Sequence, residues 1–292
     1  LPICEPFDAE HVAVYEAVPF GSSVVVPGED VKKGQLLLAR GSAVSPAGLG
    51  ALAAAGITEV FVYKPWRVSI LSTGDELVAP GGCPGPGQVR DVNSAGLAAS
   101  AANAGFQVIR TALLADDEPL LEAAVREAAA DSDLVLVSGG SSQGKKDVTC
   151  EVLDRVSGGG VFTHGLALKP GKPTILGFDS GRGALLMGLP GHPVAALTVF
   201  RLLAFWLWRE LTGQREEWSV RARMSMNLAS APGKLTCVPV RLYRGADGYE
   251  AEPVLGKSGL ITTMSQADGY VMAEMNREGL KRGEWVEIHR FL

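Results

Sequence analysis

Three stretches of this chain hold residues whose types and spacing could do chemistry. The first is Ser72-Thr73-Gly74-Asp75-Glu76-Leu77, which ends an aliphatic run and is followed by a stretch that returns as Asp91-Val92-Asn93. Adjacent acids after a glycine can hold a hydrated Mg2+ through one carboxylate, because that ion keeps several waters and takes few protein ligands. Asp75 and Asp91 are the metal-ligand candidates. Taken alone, the same loop reads more simply as a capped turn with solvated acids.

The second stretch is Ser138-Gly139-Gly140-Ser141-Ser142-Gln143-Gly144, followed by Lys145-Lys146-Asp147. Glycines permit close backbone approach and let successive N–H groups face one anion, and a helix that follows adds a favourable field. A phosphate is the natural guest. The stretch matches neither Gly-x-x-x-x-Gly-Lys-[Ser/Thr] nor Gly-x-Gly-x-x-Gly. The third is Leu168-Lys169-Pro170-Gly171-Lys172-Pro173, with Gly188-Leu189-Pro190-Gly191-His192-Pro193 about a strand hairpin later. Prolines stiffen both turns, so Lys169 and Lys172 are held near each other, which lowers the entropic cost of gripping an oxyanion. A single turn of this kind would be an exposed bend. The chain has no Gly-x-Ser-x-Gly elbow, and His11, His164, His192 and His289 have no evident nucleophile as partner, which argues against serine hydrolysis.

Elements that would position these stretches follow from the hydrophobic pattern. From Arg67 to about Gly213, short aliphatic runs alternate with helical stretches, as in an α/β fold with a doubly wound, mostly parallel sheet. Strands are expected at Val68 to Ser72, Phe106 to Ala112 and Leu134 to Val137, with further short ones near Thr174 to Phe178 and Ala184 to Met187. Helices are expected at Ser94 to Ala104, at Pro119 to Ala130 with Asp117 as its cap, and from Pro193 to a stop at Gly213. The aromatic group Phe205-Trp206-Leu207-Trp208 reads as core. From Trp218 the period shortens toward two in Val238 to Tyr243, Tyr249 to Glu252, Gly269 to Met272 and Trp285 to Ile288, which reads as a small all-β domain. The first ~65 residues combine strand-like Val12 to Tyr15 and Ser23 to Val26 with one helix, Pro46 to Ala55. The expected division is an N-terminal partial domain over 1–65, an α/β domain over 66–217 and a C-terminal β domain over 218–292.

Composition narrows the function classes. With 292 residues, 47% hydrophobic and 20% charged, the chain can bury a sizeable core. A net charge of −5 gives no global field for nucleic acid or an anionic membrane, so a phosphorylated ligand needs a local basic pocket. The 4 cysteines are far apart with no Cys-x-x-Cys pair, which argues against a zinc site or a disulfide framework. The apolar stretch Pro193 to Trp208 carries Arg201 and falls short of the roughly 20 residues a membrane span needs. No secretory signal is visible at the N-terminus, so a cytoplasmic protein is expected, and the absent initiator Met points to a fragment or a processed chain.

The ordered set of motifs resembles the molybdopterin molybdotransferase family, bacterial and gephyrin-type. The resemblance runs from about His11 to Leu292. It rests on Gly28-Glu29-Asp30 with Lys33-Gly34, Leu71 to Leu77, Asp91-Val92-Asn93, Ser138-Gly139-Gly140, Lys169-Pro170-Gly171-Lys172-Pro173, Leu189-Pro190-Gly191, Pro253-Val254-Leu255-Gly256 with Ser258-Gly259, and Ala267-Asp268-Gly269. It implies insertion of molybdate into adenylylated molybdopterin with release of AMP, aided by Mg2+, in an elongated homodimer. A molybdopterin adenylyltransferase and molybdoenzyme acceptors are the implied partners. By the same resemblance Glu29, Asp75, Asp147, Lys169 and Lys172 are catalytic. Thr73, Gly74, Asn93, Ser138, Gly139, Gly140, Ser142, Gly144, Pro190, Gly191 and His192 contact the substrate.

Departures from the family pattern are specific. The family begins with a long helical region and an inserted β domain, and this chain starts near the end of that insertion. Its Gly-Asn-Pro is here Gly191-His192-Pro193, and Lys145-Lys146 stands where an acidic or small pair is usual. Lys146-Asp147-Val148-Thr149 is closer to the adenylyltransferases that share the pterin domain. Two other readings therefore stand beside the first: a molybdopterin adenylyltransferase and a non-catalytic molybdopterin-binding module.

Overall fold

The computed structural model describes residues 4–17, 19–139, 148–214 and 219–291. The chain forms two compact units, Leu1–Phe61 and Val62–Leu292. In the first unit, β1 (Cys4–Pro6) pairs antiparallel with β2 (Val12–Val14), and α1 (Pro46–Ala54) starts at Ser45, whose hydroxyl accepts the Gly48 N–H. Leu52 is the one buried residue among those described here. The strand expected at Ser23 to Val26 does not form. Its residues follow turns closed by Ser22 N–H to Pro19 O and Val24 N–H to Gly21 O, and Val24, Val25 and Val26 stay exposed. β-branched residues favour a strand only where a neighbouring strand gives them a surface to pack on.

The second unit opens with β3 (Arg67–Thr73), the short pair β4 (Leu77–Val78) and β5 (Val89–Arg90), and α2 (Asn93–Asn103). It continues through β6 (Gln107–Leu114), α3 (Glu118–Asp131), β7 (Leu134–Gly139), α4 (Val148–Val156) and β8 (Val161–His164). Asp117 caps α3 by accepting the Leu120 N–H. Then come β9 (Leu168–Lys169), β10 (Ile175–Asp179), β11 (Ala184–Leu189) and a long helix. That helix is read in three registers: α5 (Pro193–Val199), a π-helical segment (Phe200–Phe205) and α6 (Trp206–Thr212), closed by Gly213 at φ +71°. The periodicity anticipated the helix but not its π segment.

Six strands form the central sheet in the order β6-β3-β7-β11-β10-β8. The pairs β6–β3, β3–β7 and β7–β11 are parallel, while β10 runs antiparallel to both β11 and β8. Both faces are covered. In β7, Leu134 and Leu136 pack with α2, α5 and the π segment through Leu97, Ala196 and Phe200, whereas Val135 and Val137 pack with α3 and α4 through Val125 and Leu153. A strand buried on both sides needs this continuous aliphatic run.

Past the long helix lie β12 (Val220–Met224), β13 (Leu228–Ala229), β14 (Leu235–Gly245), β15 (Gly248–Pro253), α7 (Thr262–Ser265), β16 (Gly269–Ala273), β17 (Gly279–Leu280) and β18 (Trp285–Arg290). A second sheet runs β15-β12-β18-β16-β14-β9, and β15 also pairs with β14, so the sheet curls back on itself around Ala222, Met224, Val240, Val271 and Ile288. Its sixth strand is borrowed: β9, from between β8 and β10, pairs in parallel with β14 at Leu168↔Leu235 and Lys169↔Thr236. The Lys-Pro-Gly-Lys-Pro turn thus leaves the second sheet and enters the first. Gly171 suits this bend because at φ +126° an added Cβ would come within 2.7 Å of Val199 Cγ2.

Candidate functional site

Strand direction gathers the candidate residues. The parallel strands β3, β6, β7 and β11 end at Thr73, Leu114, Gly139 and Leu189, so the loops after them leave the same edge of the sheet. Because β10 is antiparallel to β11, the turn that precedes it, with Lys172 and Pro173, emerges at that edge too; β8, antiparallel to β10, delivers His164 there. This carboxyl-end crevice is where open α/β sheets place ligands. It is a cavity of about 1740 Å³ lined by Thr73, Asp75, Asp91, Asn93, Ser138, Gly139, Lys172, Pro190, Gly191 and His192, among others.

Asn93 ties three loops together. It is 7% exposed, and its Nδ2 donates to Ser138 Oγ at 2.6 Å and to the Gly191 carbonyl at 2.8 Å. The carbonyl fixes which way the amide faces, since only the NH2 side can donate to it. Its Oδ1 is left buried with no hydrogen-bond partner. Ser138 accepts from Asn93, so its own hydroxyl hydrogen is available to a guest. Gly139, at φ +110°, passes so close to β3 that an added Cβ would lie 2.0 Å from the Thr73 carbonyl oxygen, and Gly191 packs against it from the other side.

The acidic wall is braced by its own hydrogen bonds. Asp116 N–H donates to Asp75 Oδ1 at 3.0 Å, and Thr73 Oγ1 donates to Asp116 Oδ1 at 2.8 Å, which joins the loops after β3 and β6. Asp91, 5% exposed, accepts the Ser72 hydroxyl and the Ser94 N–H, each at 3.1 Å and both on Oδ1, so it also secures the start of α2. Glu76, Asp117 and Glu118 add further carboxylates to the lining. Opposite chemistry comes from Lys172, Arg90, His164 and His192. His192 Nδ1 lies 2.8 Å from Ser258 Oγ, and Gly259 and Ile261 line the cavity, so the C-terminal region contributes to the site.

Not every candidate converges here. Lys169 is exposed on β9 and is not among the lining residues, and Gly74 is likewise outside the lining. Glu29 belongs to the first unit, where its carboxylate accepts the Val26 N–H at 3.0 Å and closes a turn. Gly140, Ser142, Gly144 and Asp147, with Lys145-Lys146, lie outside the described residues. The sequence reading missed Asp116, His164, Ser258 and Ile261. Asp116 was within reach, four residues past the end of the strand anticipated at Phe106 to Ala112; the others reach the site only through strand direction and packing that no local pattern encodes.

Comparison with known proteins gives two family matches: residues 69–209 match the family described as "Probable molybdopterin binding domain", and residues 221–291 match "MoeA C-terminal region (domain IV)". The chain is 36% identical to the molybdopterin molybdenumtransferase of Haemophilus influenzae over 90% of its own length and 66% of that protein's. It is 37% identical to molybdopterin molybdenumtransferase 2 of Mycobacterium tuberculosis over 66% of its length and 48% of that protein's. Its fold superposes on the crystal structure of the molybdopterin biosynthesis MoeA protein from Pyrococcus horikosii with a TM-score of 0.81 and 32% identity, covering 99% of this chain and 70% of that one. With both regions matched in order and the fold shared along nearly its full length, the chain belongs to the MoeA family of molybdopterin biosynthesis proteins.

Proposed function

We propose that the cavity binds adenylylated molybdopterin and that the chain acts as a molybdopterin molybdotransferase, exchanging the nucleotide for molybdenum with release of AMP. The observation that carries this reading is the convergence of the strand-end loops on one cavity lined by carboxylates together with Lys172 and two histidines. Its volume exceeds the ~300–1,000 Å³ of an ordinary small-molecule site, which suits a ligand with a pterin lobe and a nucleotide lobe. Asn93 and Ser138, both in the lining, bring an amide and a hydroxyl to the cavity, matching a pterin ring that carries both N–H and carbonyl groups. The MoeA C-terminal region, which adds Gly259 and Ile261 to the lining, favours this reading over a single-domain adenylyltransferase.

The protein's own residues would bind and orient. Lys172 would draw the anionic groups, and Gly139 would let the phosphate side approach the backbone. Among the described residues no three acidic, histidine or cysteine side chains form a ready-made ion cage. The donor set still fits Mg2+, which takes one or two carboxylates and completes its shell with water and substrate phosphates. Asp75 and Asp91 would hold that ion, which when bound neutralises charge on the pyrophosphate oxygens. A homodimer, with a molybdopterin adenylyltransferase upstream and molybdoenzymes as acceptors, completes the reading, and a cytoplasmic setting fits it. Among the described residues no helix is long and apolar enough to cross a membrane.

The test is to load the chain with adenylylated molybdopterin, add Mg2+ and molybdate, and quantify AMP. AMP release that depends on molybdate is expected. Release that proceeds equally without molybdate, or no binding of the adenylylated pterin, would contradict the proposal.

A further inference from the structure

We infer that Ser258 is a positioning residue that, through His192, presents an imidazole N–H to a tetrahedral oxyanion bound in the cavity. The inference rests on the reading of the cavity given above and goes beyond it by assigning the C-terminal region a part in anion recognition. His192 is exposed and lines the cavity. Its main chain is fixed on both sides. The Gly191 carbonyl before it accepts from Asn93, Pro193 after it starts the long helix, and its own carbonyl accepts the Ala196 N–H at 3.0 Å.

The ring is fixed as well. Ser258 Oγ lies 2.8 Å from Nδ1, and the Ser258 carbonyl accepts the Val194 N–H at 3.1 Å, so the serine is held to the start of the helix by its backbone while its side chain holds the imidazole. Next to it, Gly259 lies alongside the ring, where an added Cβ would be in ordinary contact at 3.9 Å from His192 Cδ2. With Nδ1 committed, Nε2 is the nitrogen left for a ligand. A serine hydroxyl both donates and accepts. It can donate to Nδ1 of a neutral ring, which leaves the hydrogen on Nε2, or accept from Nδ1–H of a charged one. An oxyanion at Nε2 disfavours the tautomer in which Nε2 is bare, and the hydroxyl rotates to match. Alanine can do neither. The shared chemistry is a tetrahedral oxyanion, either molybdate or a phosphate of the substrate.

The experiment uses the full chain labelled with 15N-histidine, titrated separately with molybdate and orthophosphate. Nitrogen shifts report which His192 nitrogen is protonated, and the titration gives the dissociation constant. In the parent, Nε2 is expected to be protonated in the bound state. Ser258→Ala should shift the Nδ1 signal, which loses its partner, and weaken binding about tenfold, as for loss of one hydrogen bond; Ser258→Thr, which keeps the hydroxyl, should restore both. In a His192→Asn background, Ser258→Ala should cost nothing further. The probe that binds more tightly and shifts Nε2 identifies the source of the oxyanion.

Unchanged nitrogen shifts and affinity in Ser258→Ala would overturn the inference. So would an equal loss in the His192→Asn background, because the serine would then act without the histidine. Lys172→Ala serves as the control. If it weakens the probe and Ser258→Ala does not, the inference alone fails; if the parent binds neither probe, the reading of the cavity fails with it.

Discussion

Asp75 holds two positions at once, and the two can be separated by substitution. Its Oδ1 accepts the Asp116 N–H, which is a structural task, and the side chain is exposed at the cavity, where it is available to a cation. An amide keeps a carbonyl oxygen in the same place, so Asp75→Asn should leave thermal stability within about 1 kcal/mol of the parent while weakening Mg2+-dependent AMP release. Melting curves without Mg2+ and AMP quantification with it check the two halves; a large stability loss with unchanged AMP release would make the carboxylate structural. Asp179 is the counterpart outside the cavity lining, the last residue of β10 before the turn to β11. Burial by itself would raise its carboxyl, but the Arg182 guanidinium at 2.6 Å and the N–H groups of Arg182 and Gly181 outweigh it and hold the group below the ordinary carboxylate range. A depressed carboxyl contributes stability that is present above its unfolded value and is lost as pH falls through its folded one. Asp179→Asn should therefore melt below the parent at pH 7, and the gap should close in strong acid. A gap that does not change with pH would contradict this cause.

Loops after parallel strands carry the site, and their close approach is enforced at Gly139. A side chain there meets the Thr73 carbonyl at 2.0 Å in a backbone conformation that only glycine adopts freely. Gly139→Ala should lower the melting temperature, with about 1–3 kcal/mol from the backbone conformation alone. Gly191→Ala, whose Cβ would reach only the Gly139 Cα at 3.8 Å, should fold like the parent; equal melting of the two variants would show that the loop relaxes at no cost. At this scale much was legible beforehand. Aliphatic runs marked β3, β7 and β11, the Asp117 cap marked α3, and Gly213 marked the end of the long helix. What was not legible depends on partners distant in sequence. Ser23 to Val26 has strand-forming residues and no strand to join. Lys169 and Lys172 read as one motif, yet β9 takes Lys169 into the second sheet and leaves Lys172 in the cavity lining.

At the scale of the molecule, the second unit combines a sheet covered on both faces with a curled β sheet whose sixth strand, β9, comes from between β8 and β10 of the first. The segment from Ser258 to Ile261 joins them at the cavity, where Ser258 meets His192 and Gly259 and Ile261 add to the lining. The first unit buries little by itself: Leu52 is its one buried described residue, while Val12, Val14, Phe20, Val24 and Phe61 are exposed. The central claim is that the strand-end cavity holds the phosphorylated pterin, with Lys172 as a cation in its lining. Isothermal titration of adenylylated molybdopterin into the parent and into Lys172→Ala tests it most directly. Loss of a charge-assisted hydrogen bond of about 1.5–3 kcal/mol predicts affinity weaker by roughly tenfold to a hundredfold, with an unchanged melting temperature. Equal affinity in the two proteins would contradict the account.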